Sequence, residues 1–270
     1  MADDEVMHRQ RVLSALLLIL PFLLLVQFGS PFHFALLISL VTGLAAWEFS
    51  RLCPAGADPG LSLLTVLGSL AWHAAALSGA GLAGVGAAVA GLALLRVTLL
   101  RREFRVSLVQ AAWTALGVAY VGGLLSFASL LRALPDGRQL IYYLAFTTWA
   151  GDTGAFYIGS RLGRRPLAPR ISPRKTVEGA LGGLAATAVV AMAGSGWLWP
   201  RIPCAPAAWV GLVLGVVGIL GDLCESAVKR GATAKDSGAL IPGHGGVLDR
   251  VDSLMFAAAM LYALVWVGWV

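Results

Sequence analysis

The chain has 270 residues, of which 58% are hydrophobic and only 13% carry a charge. Soluble domains are about 45–50% apolar and about 25% charged, so this composition indicates a membrane protein. The formal net charge of +6 would suit a nucleic-acid partner in a soluble protein, but no run mixes basic and aromatic residues. The three cysteines, Cys53, Cys204 and Cys224, are too widely spaced for a zinc motif.

Nine apolar segments follow one another along the chain, each near the length that a bilayer requires. We predict membrane spans at about 12–29, 32–50, 61–78, 80–98, 108–131, 138–160, 176–194, 206–228 and 251–270. The predicted fold class is therefore all-α, a polytopic bundle of about nine transmembrane helices in a single membrane domain, 1–270. Within it, 1–135 would supply apolar helices, and 136–270 would supply the polar helices and motif loops.

The basic residues predict how this bundle is oriented. The charged N-terminus leads into the apolar run 12–28 without an A-x-A cleavage site, so we interpret that run as a retained first helix. With nine spans, 17 of the 20 Lys and Arg residues fall on the side of the N-terminus. Arg132, Arg138 and Arg201 fall on the other side. Because basic residues collect in cytoplasmic loops, the N-terminus is predicted to be cytoplasmic.

Two acids lie in or at the end of predicted spans that come before the polar loops. Glu48 ends the second span, and Asp152 lies within the segment WAGDTGAF of the sixth. Charge in such places is costly and usually has a partner or a function. We expect Glu48 to matter less for activity, because nothing in the sequence pairs it with those loops.

The segment SPRKTVEG precedes the seventh span and carries two adjacent cations. Ser172 or Pro173 fits the start of a helix, and Glu178 suits its first turn. Arg174 and Lys175 near a helix N-terminus would form an anion site. They could equally be positive-inside residues beside a capping segment.

The eighth predicted span carries a polar stripe. Asp222, Ser226 and Lys229 are spaced i, i+4 and i+7 and therefore share one helix face, with Glu225 beside it. Such a stripe could be part of a site, or an ion pair of Asp222 or Glu225 with Lys229 or Arg230 that holds helices together.

The loop after the eighth span is rich in glycine and carries further charged residues. Glycines flanking His244 would let backbone amides approach an anion, and Lys235 and Arg250 could neutralise phosphates. Asp249 and Asp252, one turn apart at the start of the ninth span, could hold a divalent cation. Either could instead cap the ninth helix, but a cap does not account for the basic residues.

These motifs together resemble those of the phosphatidate cytidylyltransferase (CDP-diacylglycerol synthase) family. The run SAVKRGATAKDSGALIPGHGGVLDRVD, from Ser226 to Asp252, resembles the family's signature. SPRKTVEG resembles a second motif, with Arg174 where lysine is frequent, and the segment from Gly151 to Gly159 resembles a third. The similar region covers roughly 145–253, and the long signature is far more specific than a single Gly-rich loop.

The resemblance implies an enzyme that transfers a cytidylyl group from CTP to phosphatidic acid, giving CDP-diacylglycerol and pyrophosphate. Asp222 and Asp249 would hold Mg²⁺, with K⁺ as a candidate companion ion, and Asp152 would help to orient the site. The implied catalytic residues are Asp222, Lys229, Lys235, Asp249 and Arg250. The implied substrate-binding residues are Ser172, Lys175, Glu178, Ser226, Arg230, Asp236, His244, Gly245 and Gly246.

Both implied reactants are anions, so the protein would have to neutralise and align them, and no protein nucleophile is required. The implied partners are CTP, phosphatidic acid and the lipid bilayer, without nucleic acid. A homodimer would suit the many Gly and Ala helix faces. The expected location is the cell inner (plasma) membrane, as a multi-pass protein with its active site facing the cytoplasm.

Three other functions compete with this interpretation. A transporter or channel would suit intramembrane acids and glycine-broken helices, although the polar groups crowd at one predicted face. A CTP-dependent lipid kinase would have similar needs for cations and phosphate. A purely structural membrane protein would not require the residues between Lys235 and Asp252.

Overall fold

The structure is a computed structural model that describes residues 19–99, 103–199, 202–241 and 245–269. Within these residues the protein is almost entirely helical. The helices are α1 (Ile19–Phe28), α2 (Pro31–Arg51), α3 (Pro59–Ser78), α4 (Leu82–Leu99), α5 (Phe104–Gly117), α6 (Leu124–Ala133), α7 (Gly137–Leu162), α8 (Val177–Gly194), α9 (Cys204–Gly231) and α10 (Leu248–Trp266). A π-helical segment, Val118–Gly123, joins α5 to α6 in one continuous helix.

Every predicted span coincides with a helix. The fifth span corresponds to the continuous helix from α5 to α6. In the first span, residues 12–18 lie outside the described residues. Five helices in the described ranges are long and apolar enough to cross a membrane. These are Pro31–Arg51, Pro59–Ser78, Phe104–Ala133, Val177–Gly194 and Cys204–Gly231. Apolar stretches in α1 and α4 are shorter, and α7 and α10 carry acids. The count of nine spans and the orientation therefore stay predictions.

The predicted all-α fold class is confirmed, since the described residues are nearly all helical and add one short hairpin. Strands β1 (Pro166–Ala168) and β2 (Ser172–Thr176) pair antiparallel between α7 and α8. Because Ser172 and Pro173 lie in β2, the prediction that either residue starts a helix is wrong. The cap of α8 is Thr176, whose Oγ1 accepts a hydrogen bond from the Gly179 amide at 3.1 Å.

The chain divides into two compact units, which are described separately. The first unit comprises 1–129 and 231–250, and the second comprises 130–230 and 251–270. The division falls within α6, before the last residue of α9, and within α10.

Helices of the first unit pack through small residues and polar contacts. A Cβ at Gly122 of the π-helical segment would lie 2.7 Å from the Ser69 Cα, so glycine permits the close approach to α3. Trp113 stacks on Phe49 with ring centroids 4.9 Å apart, and its Nε1 donates to the Phe49 carbonyl at 2.9 Å. These contacts bring the end of α2 against α5.

In the second unit, glycines let α7, α8 and α9 approach one another closely. A Cβ at Gly154 of α7 would lie 2.7 Å from the Ala186 Cβ and 2.8 Å from the Gly182 carbonyl oxygen of α8. A Cβ at Gly211 of α9 would lie 2.8 Å from the Thr187 carbonyl oxygen. This close packing places the hairpin and the polar part of α9 beside one another.

Candidate functional site

A cavity of about 550 Å³ lies in the second unit, between α7, the hairpin, α8 and α9, with α10 contributing one residue. Its polar lining comes from Asp152, the SPRKTVEG segment and Asp222, together with two serines. The polar lining residues are Asp152, Ser160, Ser172, Arg174, Lys175, Thr176, Asp222 and Ser253. The structure therefore brings the SPRKTVEG segment, the acid of α7 and Asp222 of the polar stripe of α9 to one cavity.

Three carboxylates gather at the edge of this cavity. One oxygen atom each of Asp222, Glu225 and Asp252 lies within 4.8 Å of the others. Asp222 and Glu225 are one turn apart in α9, whereas Asp252 belongs to α10. The two helices can come this close because Gly221 has no side chain. A Cβ there would lie only 2.7 Å from the Asp252 carbonyl oxygen.

This cluster has the donor chemistry that a divalent metal ion requires. Carboxylate oxygens are the ligands that Mg²⁺ and Ca²⁺ prefer, and the short separations would let a single ion reach all three groups. Glu225 is fully buried, and like charges packed together away from water need cations nearby. The residues present therefore fit a metal ion.

Two lysines supply cations to this cluster. Lys175 of β2 forms an ion pair with Asp222, and Lys229 forms one with Glu225 within α9. Ser226 Oγ donates to Asp222 Oδ1 at 3.4 Å, so the predicted shared face of Asp222 and Ser226 is confirmed. For Lys229, the structure contains the ion pair within α9 that the sequence analysis had considered as an alternative.

Two further predicted residues act on the hairpin. Glu178 Oε2 accepts hydrogen bonds from the amides of Arg164 and Arg165 at 2.9 and 3.2 Å, which fixes the approach to β1. Arg230, at the end of α9, donates from Nε to the Ile171 carbonyl in the turn between the strands at 3.1 Å. Both contacts hold the strand that carries Lys175.

The signature loop, 231–250, belongs to the first unit, and Asp249 organises it. Asp249 Oδ2 accepts hydrogen bonds from the Ser237 amide at 3.0 Å, the Ser237 hydroxyl at 2.9 Å and the Gly246 amide at 2.8 Å. Gly245 has a φ of +83°, a conformation that favours glycine. Lys235, Asp236 and Arg250 lie in this loop, and His244 lies outside the described residues.

Glu48 contacts the signature loop, although nothing in the sequence pairs the two. It is only 2% exposed, and it accepts hydrogen bonds from the amides of Val247 and Leu248 at 3.0 and 2.8 Å. The structure therefore pairs Glu48 with the signature loop, which removes the reason for expecting it to matter less for activity; that expectation itself stays a prediction. A carboxylate in the last turn of α2 faces the negative end of the helix dipole, which is unfavourable. This position was the available signal in the sequence that hydrogen-bond donors from another part of the chain reach Glu48.

Apolar helices around a cavity lined by two acids, an arginine and a lysine define an α-helical membrane protein with a charged site. A family model described as "Cytidylyltransferase family" matches residues 9–267. The chain therefore belongs to this family, which confirms the resemblance seen in the motifs.

The chain is also similar to proteins named phosphatidate cytidylyltransferase. It is 48% identical over 155 residues to the one from Brucella suis biovar 1 (strain 1330), which covers 56% of each chain. It is 40% identical over 160 residues to the one from Staphylococcus aureus (strain COL), covering 59% of this chain and 61% of that protein. The matched stretch spans little more than half the length of these relatives.

Proposed function

We propose that this protein transfers the cytidylyl group of CTP to phosphatidic acid and releases pyrophosphate. The observation that carries the proposal is the carboxylate cluster of Asp222, Glu225 and Asp252 beside a cavity that Arg174 and Lys175 line. The family match and the names of the relatives support the same reaction.

In the proposed reaction, a phosphate oxygen of phosphatidic acid attacks the α-phosphorus of CTP. The bond from that phosphorus to the oxygen bridging the β-phosphate breaks, and pyrophosphate carries the electron pair away. Because both reactants are anions, Arg174 and Lys175 would neutralise charge and align the two phosphates. Because the lipid phosphate is itself the nucleophile, the proposed reaction requires no covalent intermediate with the protein.

Asp222, Glu225 and Asp252 would hold the divalent ion, which we propose to be Mg²⁺, with K⁺ as a companion. When bound, such an ion supplies charge neutralisation at the attacking and leaving oxygens. Lys175, which pairs with Asp222, would lie beside both the ion and the substrate phosphates. Asp249, one turn before Asp252 in α10, stays a predicted ligand.

The reaction would take place at the cytoplasmic face of the inner membrane. Phosphatidic acid would come from the bilayer and CTP from the cytoplasm, so the site must reach both. Support comes from the charge asymmetry of the loops, which predicts that SPRKTVEG and the signature loop are cytoplasmic. A homodimer remains part of the proposal, since Gly- and Ala-rich faces allow close helix packing.

The test is turnover by purified protein in detergent with CTP, phosphatidic acid and Mg²⁺. Pyrophosphate and CDP-diacylglycerol should form in equal amounts, and EDTA should stop both. Asp222→Asn should remove activity, whereas Glu103→Gln, the same change at an exposed acid before α5, should leave it intact. Release of CDP with a phosphorylated lipid would identify a kinase instead. Folded protein that turns over no CTP would refute the proposal.

A further inference from the structure

Glu48 is almost completely buried at the end of α2 and yet is surrounded by donors from the signature loop. Its Oε1 accepts from the Val247 amide at 3.0 Å, and its Oε2 accepts from the Leu248 amide at 2.8 Å. The Ser237 hydroxyl lies 3.3 Å from Oε2. Leu248 begins α10, so this carboxylate satisfies amides at a helix N-terminus from a distant part of the chain.

The loop is shaped around this carboxylate. A Cβ at Gly238 would overlap Glu48 Oε1, and one at Gly246 would lie 2.6 Å from Glu48 Oε2. Two glycines of the signature are therefore needed to leave space for the Glu48 side chain. Since these contacts are with a carboxylate held by hydrogen bonds, neither side can easily move away.

Glu48 is linked to Asp249 through Ser237. The Ser237 hydroxyl lies 2.9 Å from Asp249 Oδ2 and 3.3 Å from Glu48 Oε2, and its single proton can be donated to only one of them at a time. The Ser237 amide donates to Asp249 as well. Glu48 thus binds the loop at Val247 and Leu248, and Asp249 binds it at Ser237 and Gly246.

We propose that Glu48 is a positioning residue for the reaction, acting through the signature loop to hold Asp249 and Arg250 in place. This inference rests on the proposed function, in which Asp249 stays a predicted metal ligand, and on the predicted role of Arg250 in neutralising phosphates. In this proposal Glu48 does not contact substrate, because its side chain is buried. Its effect on turnover comes from fixing the backbone that immediately precedes these two side chains.

Two substitutions change this hold in different ways. Glu48→Gln keeps the size of the side chain but places an NH₂ group against backbone N–H donors, so one amide loses its acceptor. Ser237→Ala removes the hydroxyl shared between the two carboxylates. If both residues act through the same loop, the double variant should be little worse than the more damaging single variant.

Asp58→Asn is a matched control in the same unit. Asp58 is a buried carboxylate that caps α3, accepting from the Leu61 amide at 3.0 Å, and pairs with Arg96. It therefore combines a buried acid, a helix N-terminus and a distant partner, and these contacts are with α3 and α4 and not with the signature loop. Loss of its charge should lower the melting temperature and leave turnover per folded protein unchanged.

The experiment combines kinetics with hydrogen exchange of the Val247 and Leu248 amides, at a temperature where every variant is folded. In Glu48→Gln we expect faster exchange at these amides and a fall in kcat of about 10- to 100-fold. KM for CTP should change much less, because the residue does not touch the nucleotide. Asp58→Asn should change neither the exchange of these amides nor kcat.

Faster exchange in Glu48→Gln with kcat within about twofold of the wild type would show a purely structural cap and overturn the inference. Unchanged exchange would overturn it too, because Glu48 would then not hold the loop. A wild-type protein that makes no CDP-diacylglycerol would refute the proposed function instead. Exchange at the two amides would still decide by itself whether Glu48 fixes the loop.

Discussion

Replacing Gly221 by alanine should separate the carboxylates of the candidate site without altering any of them. Gly221 directly precedes Asp222 in α9, and a Cβ there would lie 2.7 Å from the Asp252 carbonyl oxygen and 2.8 Å from Phe256 Cδ2. Non-bonded contacts are most favourable near 3.5 Å, so α9 and α10 must move apart by roughly 0.8 Å at this point. The phenyl ring can turn, but the carbonyl oxygen is fixed in the backbone of α10.

The expected magnitudes follow from that displacement. Overpacking of this kind costs about 1–3 kcal/mol of stability, which the protein should tolerate at a moderate temperature. The catalytic loss should be larger in proportion, because a misplacement near 1 Å can reduce turnover on the order of 100-fold. Since Asp222 and Asp252 would no longer reach one ion together, higher Mg²⁺ should restore part of the activity.

The assay is pyrophosphate release at saturating CTP and phosphatidic acid, titrated with Mg²⁺. Gly231→Ala provides the control, because it is the same change in the same helix and nothing lies within 4 Å of the added Cβ. It should keep normal activity and Mg²⁺ dependence. If Gly221→Ala stayed within about twofold of this control at limiting Mg²⁺, the cluster would not be the reacting centre.

Three further predictions concern single side chains. Asp222→Asn and Asp249→Asn should each abolish turnover in protein that still inserts and folds, and near-normal turnover at limiting Mg²⁺ would contradict the metal assignment. Lys175→Met should lower kcat/KM for CTP by more than about tenfold, because it removes the cation paired with Asp222. Lys175→Arg keeps the charge and should recover part of the loss. Normal kcat/KM in the Met variant would exclude Lys175 from the site. Burial raises the pKa of the Cys53 thiol and so lowers its thiolate fraction at neutral pH. Maleimide should therefore label the exposed Cys204 at least about tenfold faster than Cys53. The labelling rates would be followed by mass spectrometry of the two peptides. Equal rates would contradict the prediction and show that the loop after α2 opens readily.

The helices were predictable because each is a long apolar run that begins or ends at a recognisable residue. α2 and α3 begin with a proline directly after Ser30 and Asp58, whose side chains accept from the His33 and Leu61 amides. The shared face of Asp222 and Ser226 follows from helical spacing alone. Such features are local, so the sequence contains all the information that they require.

The hairpin was missed because its sequence carries helix-start signals without apolar periodicity. Ser172 and Pro173 are residues that favour the start of a helix, yet the chain continues extended as far as Thr176, which provides the cap. The pairing of β2 with β1 supplies the hydrogen bonds that a helical turn would have made. The ion pair of Lys175 with Asp222 depends on this hairpin, so spacing along the chain could not predict it.

Glu48 shows why a glycine-rich loop is ambiguous from sequence alone. The glycines around His244 predict amides that approach an anion, and amides in this loop do surround anions. In the described part of the loop these anions are the protein's own carboxylates: Asp249 accepts from the Gly246 amide, and Glu48 accepts from the Val247 amide. Local spacing cannot distinguish such a carboxylate from a substrate phosphate, because both require small residues and exposed N–H groups. The unfavourable position of Glu48 at the C-terminal end of α2 does distinguish them, since a buried acid there can be stable only if donors from elsewhere in the chain reach it.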